Sequence, residues 1–455
     1  MTPAAPSARG SAAPPLADFW DFDEAAREDL LLRGIAASHA YHFERNTAYR
    51  NTVAAHDIGP RAAAEDMSRL LRSTSLSFKS YADILGTPFP QDRPTEFFHW
   101  LVEQSSVDLR AAAGRARRRY RSLGALLGAV EHACHSVDLE VLVSSGTSGR
   151  MALIPRDRGT NDLATESFYL SLRRYLGVTA GFTAIFMTPR HTRIAVPRLA
   201  LSGLRRLGVT PGRIRFAVPL GAGPDQIRVR TGLTYRRGLR GALERHVSHP
   251  LRSSVQGRLV DGQAVESAVS RLVPAGAHDE KVLVFGTLSE LHKLASFVLD
   301  GGRTLTLAPG SLLVTWGGKK EQAAETLAQM RRDLRDAFRL NSGEPAPVRD
   351  IYGMAEAGWA AMQCAEGSYH VPPWVHAVTL DDSGAVQKGV QCTGLLAFFD
   401  PYGGGDLFPA FFRTADRVTL TRGPACSCGE EGSYLEPESV QRLGPPAEAR
   451  GPAPR

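Results

Sequence analysis

Four short apolar runs, each bounded by glycine or polar residues, constrain the fold of this chain more than any other feature. They read LEVLVSS from Leu139, FTAIFMTP from Phe182, EKVLVFGTL from Glu280 and SLLVTWGG from Ser311. Each run is followed by polar or helical sequence, and strands that alternate with helices are typical of α/β proteins with parallel sheets. The sequence therefore predicts an α/β core whose sheets are flanked by helices.

The regions on either side of these runs have a different character. Apolar residues recur at helical spacing from Phe22 to Val53 and again from Leu109 to Val130. From about Gly367 the chain is richer in proline, glycine and short alternating strands such as TGLLAFF and DRVTL, which predicts a β-rich subdomain that closes the core. We predict a core of residues 17–440 between two disordered tails, residues 1–16 and 441–455.

Composition and charge exclude several classes of protein. No apolar run approaches the length of about 18 residues that a membrane span needs, and the N-terminus lacks the apolar block of a signal peptide. We therefore expect a cytoplasmic protein without a membrane span. The formal net charge is +7, and the densest basic run, residues 115–121, lies in a predicted helix. Because no nucleic-acid-binding motif accompanies it, we interpret the run as a solvated helix face and expect no nucleic-acid partner.

A loop rich in serine and glycine follows the first apolar run. Residues 144–150 read SSGTSGR. Glycines let the backbone turn tightly and point successive N–H groups inward, and hydroxyls add short hydrogen bonds, so such a loop can cradle the phosphates of a nucleotide. Taken alone, the pattern fits a simple Ser/Gly turn equally well.

Two further boxes lie downstream of this loop. Residues 352–356 read YGMAE, in which Glu356 can hold Mg²⁺ against phosphates and Tyr352 can offer a flat ring to a base. Residues 412–417 read FRTADR and place Asp416 between strand-like segments, where a carboxylate can accept hydrogen bonds from both ribose hydroxyls. Taken alone, Asp416 fits a turn aspartate slightly better.

In this order, the three boxes resemble the phosphate, adenine/Mg²⁺ and ribose motifs of the adenylate-forming ligase superfamily. Within it, the chain is most similar to the acyl-protein synthetases of fatty-acid reductase systems, and more distantly to phenylacetate-CoA ligases. Four further stretches carry this similarity, which covers nearly the whole chain between the tails: FERNTAYRNT, TWGGKK, CAEGSYHVPPW and CSCGEEG.

The resemblance implies ATP and Mg²⁺ as cofactors and a role for each matching residue. Thr147 and Ser148 would touch phosphate, Gly317 and Gly318 would pass close to adenine, and Asp416 would bind ribose. Glu356 would hold Mg²⁺. The nucleotide-binding set that the resemblance implies is Ser145, Gly146, Thr147, Ser148, Gly149, Gly317, Gly318, Tyr352, Gly353, Glu356 and Asp416.

The chain also departs from the superfamily pattern. Ala152 replaces the lysine common at the end of the phosphate loop, Ala355 the hydroxyl residue of the YGxTE box, and Ala415 the glycine of the RTGD box. Losing a point charge or a hydrogen bond to the nucleotide costs about 1 to 3 kcal/mol in a closed site. No lysine follows Cys428. We therefore expect the usual mobile C-terminal domain, with its catalytic lysine, to be absent, and Lys320, which aligns with a lysine of the acyl-protein synthetases, to act together with Glu356 in catalysis.

The cysteines suggest a second site. Cys364 and His370 are separated by five residues, and Cys426 and Cys428 by one, which together give three thiolates and an imidazole. This is the ligand set of a closed tetrahedral structural zinc site. A competing interpretation follows from the resemblance, because acyl-protein synthetases pass the acyl group to a cysteine near their own C-terminus, and Cys426 and Cys428 lie near that end. A zinc-bound thiolate is poorly free to attack, so with zinc present the acceptor would be an external thiol or amine.

These observations predict an ATP-dependent enzyme that activates a carboxylic acid as an acyl-adenylate. Pyrophosphate would leave, and the acyl group would pass to a thiol or amine acceptor such as a protein or carrier thiol, CoA or an amine. Two alternatives stay open: a CoA ligase of the phenylacetate type, and a non-catalytic adenylate-binding homologue, which the three alanine replacements favour.

Overall fold

The computed structural model describes residues 7–10, 13–62, 66–114, 117–144, 151–218, 221, 223–231, 235–251, 261–317 and 324–443. These residues divide into two compact units. Unit 1 comprises the described residues of 1–77, 100–109 and 363–455, and unit 2 those of 78–99 and 110–362. No helix in these described ranges has the length and apolar character needed to cross a membrane.

The α-helices and strands are as follows. The helices of eight or more residues are Glu24–Arg45, Thr47–Ala54, Pro94–Gln104, Leu123–Ala133, Arg158–Leu176, Ala195–Arg206, Pro224–Thr231, Asp261–Ala277, Leu288–Asp300 and Ala324–Ala337, and the shorter ones are Met67–Leu70, Thr74–Phe78, Tyr81–Ile84, Arg110–Ala113 and Gly238–Leu243. The strands are β1 (Arg72–Ser73), β2 (Glu140–Val143), β3 (Leu153–Arg156), β4 (Thr183–Pro189), β5 (Ile214–Val218), β6 (Val282–Gly286), β7 (Leu305–Leu307), β8 (Leu312–Trp316), β9 (Phe338–Leu340), β10 (Val348–Gly353), β11 (Ala360–Gln363), β12 (Tyr369–His370), β13 (His376–Leu380), β14 (Gln391–Phe399), β15 (Phe411–Thr421), β16 (Tyr434–Leu435) and β17 (Gln441–Arg442).

Unit 2 is built around a mostly parallel sheet with the strand order β11-β10-β8-β6-β4-β5. The strands from β10 to β5 pair in parallel, and β11 pairs antiparallel with β10. Helices connect successive parallel strands, as the βαβ geometry requires. The predicted α/β class is therefore confirmed.

Both faces of this sheet are buried. Along β4, Ala184 and Phe186 pack into one core with the helices Arg158–Leu176 and Ala195–Arg206, while Ile185 and Met187 pack into the opposite core. Because side chains alternate between the faces of a strand, a strand covered on both faces needs apolar residues at nearly every position. This requirement explains why the runs that form β4, β6 and β8 are uninterrupted.

The first apolar run has a different place. Its residues form β2, which pairs antiparallel with β3 in a separate two-stranded sheet. Residues 145–150, which lie between these strands, are outside the described residues. The phosphate-loop candidate is therefore the connection of a hairpin, not a link from the parallel sheet to a helix.

The prediction of one helix through the basic run is wrong. Helices span Arg110–Ala113 and Leu123–Ala133, and residues 117–122 between them are not helical. The backbone N–H of Tyr120 donates to the carbonyl of Gln91 at 3.0 Å, and the Ser122 side chain caps the second helix by accepting from the Ala125 N–H. These two hydrogen bonds take the place of the backbone hydrogen bonds that a continuous helix would form here.

Unit 1 is mostly β structure together with N-terminal helices. Strands β13, β14, β15, β16 and β12 pair in that order, all antiparallel, and β15 also pairs with β1 and β17. Ile35, Tyr49 and Val53 of the N-terminal helices share one hydrophobic core with Phe399 and Phe411 of the strands. The β-rich C-terminal part is thus confirmed, and the N-terminal helices cover one face of it.

Candidate functional site

The carboxyl ends of the parallel strands in unit 2 carry several of the predicted nucleotide-binding residues. Gly317 directly follows β8, and Tyr352 and Gly353 end β10. Gly317 has φ +81°, a conformation that glycine adopts without steric cost, and a Cβ built there would lie 3.9 Å from Cγ2 of Thr287. Thr287 caps the helix that follows β6. Segments from β6, β8 and β10 therefore meet at one edge of the sheet, where ligands of open α/β sheets bind.

Glu356 lies in a tight turn just beyond this edge. Its side chain is buried, and the Ala357 N–H donates to the carbonyl of Met354 at 3.1 Å to close the turn. The guanidinium of Arg156, at the end of β3, donates from one nitrogen to the carbonyls of Ala355 at 3.0 Å and Ala357 at 2.6 Å. A buried cation thus fixes the backbone on both sides of Glu356.

Sequence reasoning missed Arg156. The signal for it is an arginine at the end of an otherwise apolar strand, LIPR, where it is 1% exposed. A charge buried this deeply is expected only where partners satisfy it. Sequence reasoning also missed a hydrogen bond between β8 and β10. The Thr315 hydroxyl of β8 donates to the carboxylate of Asp350, which lies on β10 two residues before Tyr352.

The two ends of the phosphate-loop candidate are held together. Ser144 and Ala152 exchange two hydrogen bonds, the Ala152 N–H to Ser144 Oγ at 2.9 Å and the Ser144 N–H to the Ala152 carbonyl at 3.2 Å. The hydroxyl of the buried Tyr81 donates to the Met151 carbonyl at 2.9 Å. The base of the loop is therefore fixed, while the candidates within it, Ser145, Gly146, Thr147, Ser148 and Gly149, lie outside the described residues, as do Gly318 and Lys320.

A cleft of about 780 Å³ opens beside this hairpin within unit 2. His191, Thr192 and Arg193, from the segment that follows β4, line it. The Val143 N–H donates to the Arg193 carbonyl at 2.9 Å, so this segment runs alongside β2. The Arg193 guanidinium donates hydrogen bonds to the Glu131 carboxylate, which raises the pKa of Arg193 and neutralises its charge.

Asp416, the ribose candidate, lies in unit 1. It is 5% exposed on β15, and its backbone N–H donates to Thr414 Oγ1 at 3.0 Å. The register of β15 and β17 pairs Asp416 with Arg442, whose guanidinium lies 3.5 Å from the carboxylate. Arg442 lies in the predicted C-terminal tail, and no sequence pattern indicates this ion pair.

The four predicted metal ligands come together in unit 1. The ligand atoms of Cys364, His370, Cys426 and Cys428 all lie within 4.8 Å of one another, and Cys428 Sγ is 3.3 Å from His370 Nε2. Cys364, His370 and Cys426 are buried. The structure therefore brings the four predicted ligands into one cluster.

Two tight turns present the thiols. The Gly367 N–H donates to the Cys364 carbonyl, and the Gly429 N–H donates to the Cys426 carbonyl. Both glycines have positive φ, +86° and +88°, which a turn of this shape requires. His370 comes from β12, which pairs antiparallel with β16.

The electrostatics of the cluster favour a cation. Burial and the neighbouring thiols of Cys426 and Cys364 raise the pKa of Cys428 to about 12. Burial also opposes ionisation of Cys426, but hydrogen bonds from Cys428 and Ser368 outweigh it and lower the pKa of that thiol. The thiols cannot all ionise side by side unless a positive charge lies between them.

The arrangement fits a structural zinc ion. Three thiolates and one imidazole form a closed tetrahedral donor set, and with Zn–S distances of about 2.3 Å the ligand atoms lie about 3.8 Å apart. Separations of up to 4.8 Å need only small side-chain adjustments to reach that geometry.

Two solved structures of a CoA ligase have a fold similar to that of this chain. An open conformation of 2-hydroxyisobutyryl-CoA ligase in complex with 2-HIB-AMP and CoA matches with a TM-score of 0.55 and 12% identity, covering 94% of this chain and 79% of that chain. The same ligase in its thioesterification state matches with a TM-score of 0.55 and 14% identity, covering 95% and 72%. The chain therefore shares the fold of this ligase.

The family comparison is more specific. Residues 264–452 match the sequence model of the family described as acyl-protein synthetase, LuxE. The search of curated proteins finds no match. The resemblance to the acyl-protein synthetases is confirmed over residues 264–452, and the fold is similar to that of the ligase structures.

Proposed function

We propose that the protein activates a carboxylic acid with ATP as an acyl-adenylate and then transfers the acyl group to a thiol or amine. The observation that carries the proposal is the edge of the parallel sheet, where Gly317 follows β8, Tyr352 lies at the end of β10, and the clamped Glu356 turn follows β10. This arrangement occurs in a fold shared with a ligase whose structures contain an acyl-AMP.

In the proposed reaction, a carboxylate oxygen of the acid attacks the α-phosphorus of ATP in line with the leaving pyrophosphate. The new O–P bond forms as the bond to the β-phosphate oxygen breaks, and the products are acyl-AMP and pyrophosphate. The N–H groups of residues 145–149 and the Lys320 ammonium would stabilise the charge on the phosphates. Asp416 would accept hydrogen bonds from the ribose hydroxyls, and Tyr352, Gly353, Gly317 and Gly318 would surround the base.

Glu356 is the residue we propose for Mg²⁺. When bound, Mg²⁺ supplies positive charge that neutralises the phosphate oxygens. Arg156 holds the carbonyls of Ala355 and Ala357 on both sides of Glu356. Because the backbone of this turn is fixed, the Glu356 carboxylate can reach only a limited range of positions.

We also propose that Cys364, His370, Cys426 and Cys428 hold a structural Zn²⁺ and that the acyl acceptor is an external thiol or amine. The clustering of the two C-terminal cysteines with Cys364 and His370 supports metal binding over an acyl-cysteine. CoA is one candidate acceptor, since it is present in the ligase structures of similar fold.

The activity can be tested by pyrophosphate release from the full chain with MgATP and hydroxylamine across fatty, aromatic and amino acids. We expect release with one class of acid and its loss in Asp416→Ala, while Asp382→Ala, at an exposed aspartate of the same unit, keeps wild-type release. Undiminished release in Asp416→Ala would contradict the ribose role. No release with any acid, while ATP still binds, would favour the non-catalytic alternative.

A further inference from the structure

An exposed helical segment of unit 2 carries an unusual row of apolar side chains. The helix Gly238–Leu243 continues as a π-helical turn, Glu244–Ser248, and ends with residues 249–251. Leu239, Leu243, Val247 and Leu251 are 92%, 59%, 51% and 61% exposed. Single exposed apolar residues are normal, but a contiguous exposed set marks an interaction site. We call these four residues the outer row.

The outer row is continuous because of the π-helical turn. In an α-helix with 3.6 residues per turn, residues four apart drift steadily around the axis. A π-helical turn is wider than an α-helical turn, so it compensates part of this drift. The four side chains therefore stay near one face over a length of about 18 Å, at about 1.5 Å per residue.

The polar side of the same segment faces the protein. The Glu244 carboxylate accepts two hydrogen bonds of 3.2 Å from the Arg228 guanidinium, and it also accepts the Arg236 N–H at 3.3 Å. The Arg236 guanidinium in turn lies 2.6 Å from the Asp92 carboxylate. The segment is thus anchored through its ion pairs and presents its apolar row outward, the reverse of an ordinary surface helix.

The charges that surround the outer row are positive. Arg237, Arg240 and Arg245 are exposed, and the single acid of residues 237–251 is Glu244, which Arg228 neutralises. In the described part of the chain, Arg237 and Arg240 form no salt bridge. An apolar row flanked by arginines complements a surface that is both apolar and anionic.

We propose that this segment docks the protein peripherally on an anionic lipid surface, with the outer row inserted among the lipid headgroups. A lipid surface is favoured over a protein partner because the row lies on one convex helix, with Leu239 almost fully exposed, and a fluid interface accepts such a shape without a matching groove. The flanking arginines would contact the lipid phosphates. The proposal does not depend on the acid-activating function.

The test is flotation of the full chain with vesicles of phosphatidylcholine, with and without phosphatidylserine. We expect binding to the phosphatidylserine vesicles that weakens with added salt. The double variant Leu239→Asp/Leu243→Asp should bind at least about ten-fold more weakly, since two aliphatic insertions are lost. The control Leu76→Asp/Ile84→Asp changes residues that are 65% and 64% exposed elsewhere and should bind as wild type.

A second pair of variants tests the charges. Arg237→Gln and Arg240→Gln should each lower vesicle binding about five-fold, whereas Arg173→Gln, an exposed arginine of another helix, should not. Circular dichroism confirms that each variant is folded. The proposal is overturned if the wild-type protein does not bind phosphatidylserine vesicles, or if Leu239→Asp/Leu243→Asp binds them as wild type does. A salt-sensitive complex with an acidic carrier protein in place of vesicle binding, lost in the leucine variant, overturns it in favour of a protein partner.

Discussion

The Cys/His cluster of unit 1 and the sheet edge of unit 2 are both candidate sites, but they are built in different ways. The cluster brings four side-chain ligand atoms within 4.8 Å of one another through two glycine turns and a strand. The sheet edge offers mainly backbone conformations, namely the left-handed Gly317 and the turn around Glu356 that Arg156 clamps. The Cys/His cluster suits an ion that stabilises the fold, and the sheet edge suits a substrate that binds and dissociates.

The largest effect that this comparison predicts is the loss of zinc from unit 1. Cys364→Ser or Cys426→Ser should abolish stoichiometric zinc, measured by elemental analysis of the purified protein. Because metal binding is coupled to folding, the free energy of unfolding should fall by at least about 3 kcal/mol, measured by urea denaturation.

The matched control is Cys392→Ser, which replaces a partly buried cysteine outside the cluster. It should keep both zinc and stability. Wild-type protein purified without zinc, and equally stable with and without a chelator, would contradict the metal site. Retained acyl transfer to the chain itself in a zinc-free protein would instead support an acyl-cysteine at Cys426 or Cys428.

The metal cluster could be predicted from the sequence because cysteine and histidine at short spacings restrict the chemistry strongly. The parallel strands were predictable for a similar reason, since β4, β6 and β8 are covered on both faces and need continuous apolar sequence. The contacts of Arg156 and Arg442 could not be predicted from the sequence. Each is a pairing between residues distant in sequence, 199 residues apart for Arg156 and Ala355, and no local pattern encodes such a pairing.

The hairpin of β2 and β3 and the break near residue 120 show the same limit. The run from Leu139 forms a strand as predicted, but it pairs in a hairpin and not in the parallel sheet, and the Ala152 N–H donates to Ser144 at the end of that hairpin. Residues 117–122 were predicted to be helical, but the Tyr120 N–H instead donates to the carbonyl of Gln91. Local propensity is a weak prior that such contacts override.

A smaller effect is predicted for the Arg156 clamp of unit 2. Arg156→Met removes the donors to the carbonyls of Ala355 and Ala357, which costs about 1 to 3 kcal/mol and loosens the turn that carries Glu356. We expect pyrophosphate release to require more Mg²⁺ and to fall at least about ten-fold at a fixed Mg²⁺ concentration.

Arg158→Met is the matched control, because its side chain is 75% exposed two residues further along. It should leave the Mg²⁺ dependence unchanged. A folded Arg156→Met protein with the Mg²⁺ dependence of wild type would show that the clamp serves stability alone, and it would weaken the contrast between a structural unit 1 site and a reactive unit 2 edge.

The smallest effect concerns pH, and it assigns acid sensitivity to unit 1. Burial lowers the pKa of His42 well below its usual value, and burial, together with Arg422, lowers that of His376 to about 4. The unfolded chain therefore binds more protons than the folded chain once the pH falls below about 6.5, so stability decreases as the pH falls from there toward about 4.

Urea denaturation across this range should show a shallower loss of stability in His376→Gln, by at most about 1.4 kcal/mol per pH unit, whereas His191→Gln, at an exposed position of unit 2, should follow wild type. Parallel pH profiles for wild type and His376→Gln would show that this histidine takes up its proton equally well in the folded protein, and the acid sensitivity of unit 1 would then have to come from its other buried groups.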